Sequence, residues 1–167
     1  MKNYVKISNI INKFNKVINV QGDKSISIRW ALMASQAIGK SRAKNLLKSE
    51  DVDSTLEALK KLGVKVLKNK EYCEIIGKGL NSYNFKNNTT IDAGNSGTLA
   101  RLILGLLSSI NKSIRIKGDK SLSKRDFSRI IKPLNIFGVR IKSNKNKLPV
   151  IIRGTNFLRP IYFEERK

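Results

Sequence analysis

Apolar residues recur at helical spacing in several segments of the chain, with short alternating runs between them. The clearest such segment is Glu50–Leu62, which carries acidic residues in its first turn and is followed by Gly63. Its apolar side chains, three and four residues apart, predict one buried helix face. Similar spacing predicts three further helices, at Ser27–Ile38, Thr98–Ile110 and Lys124–Phe137.

Short runs rich in β-branched residues predict strands between these helices. Single strands are predicted at Lys16–Val20, Lys44–Leu47, Thr90–Asp92 and Ser113–Lys117. Two β-hairpins are predicted, one from Val64–Leu67 with Tyr72–Ile76 and one from Val139–Lys142 with Pro149–Arg153.

The order of these elements repeats along the chain. The helix end and strand start at Leu62–Val66 reappear about 75 residues later at Phe137–Ile141, and each half has the order βαβαββ. Such a repeat predicts an α/β (α+β) fold of stacked units that cover one another's open faces. We expect an N-terminal segment at 1–21, unit one at about 22–85, and unit two at about 86–158. A third unit begins at Pro160–Phe163.

The chain is strongly basic, with 34 Lys and Arg residues against 12 Asp and Glu and a net charge of +22. Three explanations are open: nucleic-acid binding, attraction of small anionic substrates, and a general bias towards Lys, Ile and Asn. The lysines are scattered, and only 7% of the residues are aromatic, so few side chains are available for bases to stack on. The last two explanations are therefore favoured, and no nucleic-acid partner is expected.

The residue inventory excludes several kinds of chemistry. There is no histidine, so a general base must be a carboxylate, a lysine or a tyrosine, and a His-ligated metal site is excluded. The single cysteine, Cys73, allows neither an internal disulfide nor a thiolate zinc site. We see no apolar stretch of membrane-spanning length and no secretory signal, and therefore expect a cytoplasmic protein without a membrane partner.

Three turns at the starts of predicted helices carry polar and cationic side chains. They are Gly22–Arg29, Gly94–Arg101 and Gly118–Arg125. The free N–H groups and positive potential of a helix N-terminus suit phosphate or carboxylate groups. Taken singly, each turn is better explained as a helix cap with solvated charges, and none is a Walker or Rossmann loop. Their combination in one repeated framework favours anion binding.

These turns resemble motifs of the EPSP synthase family. GDKSISIR and the helices after it are similar to that family's opening Lys-Ser…Arg segment, GNSGTLAR to its Gly-Asn-(Ala/Ser)-Gly-Thr…Arg motif, and GDKSLSKRD to its Gly-Asp…Arg-Pro motif. The likeness runs from about Val17 to Phe163. Three positions depart from the family pattern: Gln21 replaces the usual Pro, Ile28 the usual Asn or His, and Asp126 the Pro of the third motif.

The resemblance implies a domain of three βαβαββ units, an inside-out α/β barrel, with substrates in a cleft between it and a second domain. About two of the three units are present, and residues 1–21 would include an interdomain segment. The chain would then be the N-terminal part of a longer protein, with the acid and base that move protons in the remainder. We expect the complete protein to be a monomer, and this chain to be inactive alone and prone to self-association through uncovered helix faces.

The resemblance also implies a reaction. The enolpyruvyl group of phosphoenolpyruvate would move to the 5-hydroxyl of shikimate 3-phosphate, with release of phosphate and without a metal or organic cofactor. The residues implied for shikimate 3-phosphate are Lys24, Ser25 and Arg29. The residues implied for phosphoenolpyruvate are Lys24, Gly97 and Arg125, supported by Asn95 and Arg101.

Two alternative functions stay open. An enolpyruvyl transferase acting on UDP-N-acetylglucosamine would share the fold, but that family has a reactive cysteine in a loop, whereas Cys73 lies in a predicted hairpin strand. A non-catalytic basic module that binds RNA or DNA would show affinity that falls as salt rises.

Overall fold

Helices and strands alternate along the chain in a computed structural model that describes residues 6, 13, 15, 17, 18 and 20–164. The first half contains α1 Lys24–Gln36, β1 Ile38–Lys44, α2 Glu50–Lys61, β2 Lys65–Lys68 and β3 Tyr72–Lys78. The second half contains β4 Thr89–Asp92, α3 Gly97–Leu106, β5 Ser113–Lys117, a 3-10 helix at Leu122–Lys124, α4 Ser128–Ile136, β6 Arg140–Asn144 and β7 Lys147–Arg153.

The strands form two sheets. In the first, β1, β3 and β2 are antiparallel and lie in that order. In the second the order is β4, β5, β7, β6, with β4 parallel to β5 and the other pairs antiparallel. Helix α3 joins the two parallel strands, because a parallel pair needs a crossover connection. Both predicted hairpins, β2 with β3 and β6 with β7, are confirmed, as is the strand at Ser113–Lys117.

The core is built from alternate strand residues and one face of each long helix. Along β7, Leu148, Val150 and Ile152 are buried while the residues between them are exposed. This two-residue period is that of a strand with one face on the core and one in water. On α2, Val52 and Leu59 are fully buried and the opposite face is charged, as its helical pattern predicts.

One side of α1 and α3 is uncovered. Met33 on α1 is 74% exposed and Leu102 on α3 is 39% exposed. Together with Leu80 and Leu106 they line a mainly apolar groove of about 520 Å³, which we call the α1–α3 groove.

Two helix starts lie earlier than predicted because a side chain caps them. Helix α1 starts at Lys24 rather than Ser27, since the Asp23 carboxylate accepts a hydrogen bond from the Ile26 N–H at 2.7 Å. Helix α3 starts one residue early and ends at Leu106 rather than Ile110. Helix α2 matches its prediction to within one residue.

Two strand predictions in the first half are wrong. No strand spans Lys44–Leu47. The strand in this region is β1, Ile38–Lys44, and it ends before Asn45, which adopts a left-handed φ of 57°. The hydrophobic pattern did not predict β1 because most of its residues are polar. Hydrogen bonding to β3, rather than burial of its side chains, stabilises this strand. At Lys16–Val20, residues 17, 18 and 20 belong to no strand, and the other two lie outside the described residues.

The helix predicted at Lys124–Phe137 is also wrong in its first turn. Residue Arg125 is extended, with ψ of 148°, and α4 begins only at Ser128. The Asp126 carboxylate accepts hydrogen bonds from the Ser128 N–H and hydroxyl, and the Phe127 N–H donates to the Asn146 carbonyl at 2.9 Å. These bonds and the full burial of the Phe127 ring break the helix that sequence periodicity favours.

Candidate functional site

The N-terminus of α3 is capped by a neutral side chain. The buried Ser96 hydroxyl accepts a hydrogen bond from the Leu99 N–H at 3.2 Å. Just before it, Gly94 has a left-handed φ of 53°, and its N–H donates to the Asp92 carboxylate at 2.9 Å. Because the cap is a hydroxyl rather than a carboxylate, the positive potential of the helix start stays available to an anion.

Three side chains beside this helix start form a hydrogen-bonded chain, which we call the Asn95 bridge. The Asn95 amide donates to the Asp119 carboxylate at 2.7 Å, and its oxygen accepts from the Arg125 guanidinium at 3.2 Å. Asp119 also accepts from the Leu122 N–H at 2.6 Å, and its own N–H donates to the Gly94 carbonyl at 2.8 Å. Backbone hydrogen bonds thus fix Asp119. Because Asp119 accepts from the Asn95 NH2 group, the amide oxygen is turned towards Arg125.

Two guanidinium groups converge on Gly97. A Cβ atom at this position would lie 2.7 Å from an Arg101 nitrogen and 3.2 Å from an Arg125 nitrogen. Arg101 donates to the Gly97 carbonyl at 3.4 Å and to the Asp126 carbonyl at 3.3 Å, and it lies 4.7 Å from the centroid of the Phe127 ring. Two guanidinium groups, each able to donate two parallel hydrogen bonds, at the positive end of a helix form a site suited to a carboxylate or a phosphate.

Hydrogen bonds keep the nearby carboxyl groups ionised. The Asn95 amide, and after it the Leu122 N–H, lowers the pKa of Asp119. The Ser128 hydroxyl and N–H lower the pKa of Asp126. A general acid needs a pKa near the working pH, so neither group is suited to donate a proton at neutral pH. Their role here is to accept hydrogen bonds and hold their neighbours in place.

The start of α1 is arranged differently. A carboxylate, Asp23, caps it, and the Lys24 ammonium lies 3.2 Å from the Asp51 carboxylate of α2. The Lys24 side chain is 53% exposed, so it remains open to a ligand. Ser25 is half-buried, and Arg29, one turn further along α1, is exposed without an ion pair to any residue that the structure describes.

Helices α1 and α3 are neighbours in the fold. Leu102 shares the α1–α3 groove with Arg29 and a second groove with Arg101. Leu102 therefore borders a groove with each of the two cations. Ile28, beside Arg29 in sequence, is fully buried in the core, so its departure from the family pattern affects packing rather than the exposed face of α1.

Comparison with known proteins identifies the family. A family model for EPSP synthase (3-phosphoshikimate 1-carboxyvinyltransferase) matches residues 8–165. The chain belongs to the EPSP synthase family. A 3-phosphoshikimate 1-carboxyvinyltransferase of Ruthia magnifica subsp. Calyptogena magnifica is 41% identical over 153 residues, which make up 92% of this chain and 35% of the relative. One of Streptococcus agalactiae serotype Ia is 40% identical over 161 residues, 95% of this chain and 38% of the relative.

Solved structures confirm the predicted fold class. An EPSP synthase from Acinetobacter baumannii superposes with a TM-score of 0.79 at 35% identity, covering 86% of this chain and 33% of that one. The chain is therefore a mixed α/β, partial enolpyruvyl transferase domain. It spans little more than a third of the length of the curated relatives it matches. The unit boundaries near 22–85 and 86–158 stay a prediction.

The structure brings together most of the residues that the EPSP synthase motifs suggest. Those grouped at the start of α3 are Asn95, Gly97, Arg101 and Arg125, and those on α1 are Lys24, Ser25 and Arg29. Their roles towards substrates stay predictions. Two acidic residues were not predicted: Asp51, which pairs with Lys24, and Asp119, which accepts a hydrogen bond from the Asn95 amide. Asp119 could have been recognised as a cap, because Asp is a preferred residue just before a helix and its carboxylate accepts from the Leu122 N–H. Asp51 looked only like an acidic residue in the first turn of a helix.

Other residue types add little chemistry to this EPSP synthase chain. Cys73 is buried in β3, and burial raises the pKa of its thiol, which disfavours the reactive thiolate. Across the described residues, no three or more Cys, Asp or Glu side chains are grouped to hold a metal ion. In the same part of the chain, no helix has the length and apolar character needed to cross a bilayer.

Proposed function

We propose that this chain supplies the anion-binding helix starts of a cytoplasmic EPSP synthase. That enzyme transfers the enolpyruvyl group of phosphoenolpyruvate to the 5-hydroxyl of shikimate 3-phosphate and releases phosphate. The observation that carries the proposal is the convergence of Arg101 and Arg125 on Gly97 at the neutral-capped start of α3. The membership of the chain in the EPSP synthase family supports the choice of substrates.

Phosphoenolpyruvate binds beside Gly97 in this proposal. It carries a carboxylate and a phosphate close together, so it needs two or more cations on one side. Arg125, oriented by Asn95, grips one acidic group, and Arg101 supports the other side of the same space. A side chain at residue 97 would fill that space, and glycine keeps it open.

Shikimate 3-phosphate binds at the start of α1. Lys24 supplies a point charge that both substrates share, Ser25 a hydroxyl donor and Arg29 a guanidinium one turn away. The Asp51 carboxylate holds Lys24 at 3.2 Å and positions it until substrate arrives. Because α1 and α3 are adjacent, the two substrates come together next to Leu102.

The contribution of these residues to the reaction is electrostatic. They bring several negative charges close together and stabilise the charge that develops during addition and elimination. The site is proposed to work without a metal ion or organic cofactor, in a protein that is a monomer when complete. Proton transfer is assigned to residues outside this chain.

A chimera tests this function. This chain would replace the matched segment of the Streptococcus agalactiae relative, to which it is 40% identical. The chimera should release phosphate from phosphoenolpyruvate only when shikimate 3-phosphate is present. The 167-residue chain alone should bind both ligands in calorimetric titrations but release no phosphate. Phosphate release that depends instead on UDP-N-acetylglucosamine would contradict the proposal.

Two variants of the chimera sharpen this test. Arg125→Ala should lower kcat/KM by about 100-fold, the usual effect of removing one donor that stabilises developing charge. Lys120→Ala removes an exposed cation from the same turn and should leave kcat/KM unchanged. Equal losses in the two variants would mean that general charge, rather than the Arg125 position, attracts the substrates.

A further inference from the structure

A second basic cleft lies at the end of the β6–β7 hairpin. It has a volume of about 600 Å³ and is lined by Arg140, Arg153 and Arg159 among other residues. This volume lies within the range of small-molecule binding sites. None of the residues that line it belongs to the candidate site at α1 and α3. We call it the three-arginine cleft.

The three arginines are placed together by the fold. Arg140 and Arg153 are direct cross-strand partners in the β6–β7 register. Their side chains therefore lie next to each other on the solvent-exposed face of the sheet. Arg153 donates from Nε to the Asn111 side chain at 2.9 Å, which fixes its direction. The Arg159 N–H donates to the Phe137 carbonyl at 3.0 Å, which holds the third arginine at the cleft.

The charges in this cleft are not compensated. Within the described part of the chain, none of the three guanidinium groups has a carboxylate at ion-pair distance. Like charges directly opposite each other on neighbouring strands destabilise a sheet. A multivalent anion between Arg140 and Arg153 would remove that repulsion and use the forked geometry of both groups.

Two apolar residues, Phe157 and Leu158, also line this mainly polar cleft, and Phe157 is 84% exposed. The Phe157 N–H donates to the Thr155 hydroxyl at 3.1 Å, so the backbone that carries the ring is tied to the end of β7. An exposed aromatic residue that lines the same cleft as three arginines matches a ligand with a planar body and a phosphate.

The geometry points to a binding site for a phosphorylated small molecule with an aromatic body, of the nucleoside phosphate class. The phosphates bind Arg140 and Arg153, Arg159 adds charge, and the base stacks on Phe157. The cleft thereby gives the chain a second anion site, with a different ligand class from the first.

Calorimetric titration of the 167-residue chain with three probes tests this proposal. ADP should bind more tightly than either pyrophosphate, which lacks the aromatic body, or adenosine, which lacks the charge. Arg140→Ala should weaken ADP binding by at least about tenfold, because charge-assisted hydrogen bonds to phosphate are lost. It should also leave the chain at least as stable to urea, because a like-charge pair is removed. Phe157→Ala should weaken ADP binding and leave pyrophosphate binding unchanged.

Matched controls decide the outcome. Lys142→Ala removes an exposed cation two residues along β6, and Lys120→Ala removes one from the turn at Gly118–Arg125. Neither should change ADP affinity. The proposal is overturned if ADP fails to bind at millimolar concentration, if pyrophosphate binds as tightly as ADP, or if the control variants lower ADP affinity as much as Arg140→Ala does.

Discussion

The sequence Gly-Asp-Lys-Ser-(Ile/Leu)-Ser-x-Arg occurs twice, at Gly22–Arg29 and at Gly118–Arg125, and takes two different structures. Both copies begin alike: Asp23 caps the Ile26 N–H at 2.7 Å and Asp119 caps the Leu122 N–H at 2.6 Å. The first copy then continues as the thirteen-residue helix α1, whereas the second ends after one 3-10 turn at Lys124.

The difference decides where the final arginine lies. In the first copy Arg29 is on a helix surface, beside an apolar groove. In the second copy Asp126 and Phe127 stop the helix, so Arg125 is extended and reaches Asn95. The octapeptide therefore specifies a capped turn in both places, and the residues after it decide whether its cation is held in a hydrogen-bonded chain or left exposed.

The largest expected difference between the copies is at their first glycine. A Cβ at Gly22 would lie 2.1 Å from the Asn45 carbonyl oxygen, which is backbone and cannot easily move. Gly22→Ala should therefore lower the free energy of unfolding by about 3 kcal/mol in urea titrations. At Gly118 the nearest atoms are Cδ2 of the Leu122 side chain at 2.7 Å and the Gly94 carbonyl oxygen at 3.0 Å, so the backbone contact is longer and Gly118→Ala should cost less.

Gly105→Ala is the control for these two variants. A Cβ there meets nothing within 4 Å, on an exposed part of α3. It should stabilise the chain by about 0.5 to 1 kcal/mol through helix propensity. A Gly22→Ala variant as stable as Gly105→Ala would show that the contact between residue 22 and the Asn45 backbone relaxes freely.

The next largest effect is a difference between Asp119 and Asp23 in their contribution to phosphoenolpyruvate affinity. Asp119→Ala removes the partner of the Asn95 amide, so Asn95 can rotate and release Arg125. Phosphoenolpyruvate affinity should fall about tenfold, the loss of one charge-assisted contact. Asp23→Ala should leave phosphoenolpyruvate affinity unchanged. Calorimetric titration of both variants tests this. An equal loss of affinity in the two variants would show that the Asn95 bridge does not orient Arg125.

Asp23 is expected to matter for folding rather than for phosphoenolpyruvate binding. Asp23 caps a helix of thirteen residues, and its loss should lower the free energy of unfolding by about 1 kcal/mol. Asp23→Asn, which keeps a cap, should recover most of that loss. Urea titrations of both variants test this, and equal stability of Asp23→Ala and Asp23→Asn would mean that the cap does not stabilise α1.

A smaller effect is expected at Lys24. Its ion pair with Asp51 is half-exposed and screened by solvent, so Lys24→Ala should change the free energy of unfolding by less than about 1 kcal/mol. Binding of shikimate 3-phosphate to the chimera should nevertheless weaken. Lys60→Ala, at an exposed pair with Glu57, is the matched control for stability. A Lys24→Ala chain that unfolds would assign the residue to the fold instead.

The smallest effect is the response of Asp119 to acid. Its pKa is lowered in the folded chain by the Asn95 amide first, so the stability that it adds is present above the pKa of an unfolded Asp, near 4. That stability is lost as the pH falls through the lowered folded pKa. Asp119→Asn should therefore flatten the decline of stability as the pH falls below about 4, measured by thermal unfolding. An unchanged decline would show that other carboxyl groups cause it.

Local sequence predicted the parts of the fold whose signals are local. Helix α2 has an acidic first turn and a following glycine, and it was predicted to within one residue. Strand β1 was missed because its polar residues carry no pattern and it depends on β3, which comes about 30 residues later in the chain.

The candidate site divides in the same way. The motif around Gly97 named the right neighbours, because glycines and arginines at fixed spacing mark a helix start. The role of Asp119 was not predictable, since it depends on Asn95, 24 residues away in sequence. The position of Arg125 was mispredicted because the Asp126 turn and the burial of Phe127 override helical periodicity.

The arrangement of the sheets has a consequence for the order in which the chain is made. In both sheets the last strand to be synthesised, β3 or β7, lies in the interior of its sheet. At about 5 to 20 residues per second, each ribosome-bound sheet waits seconds for the strand that completes it. During that wait the lysines and arginines of β1 and β6 keep open strand edges from pairing with other nascent chains. Part of the excess positive charge thus lies on strand edges, where it opposes pairing between unfinished sheets.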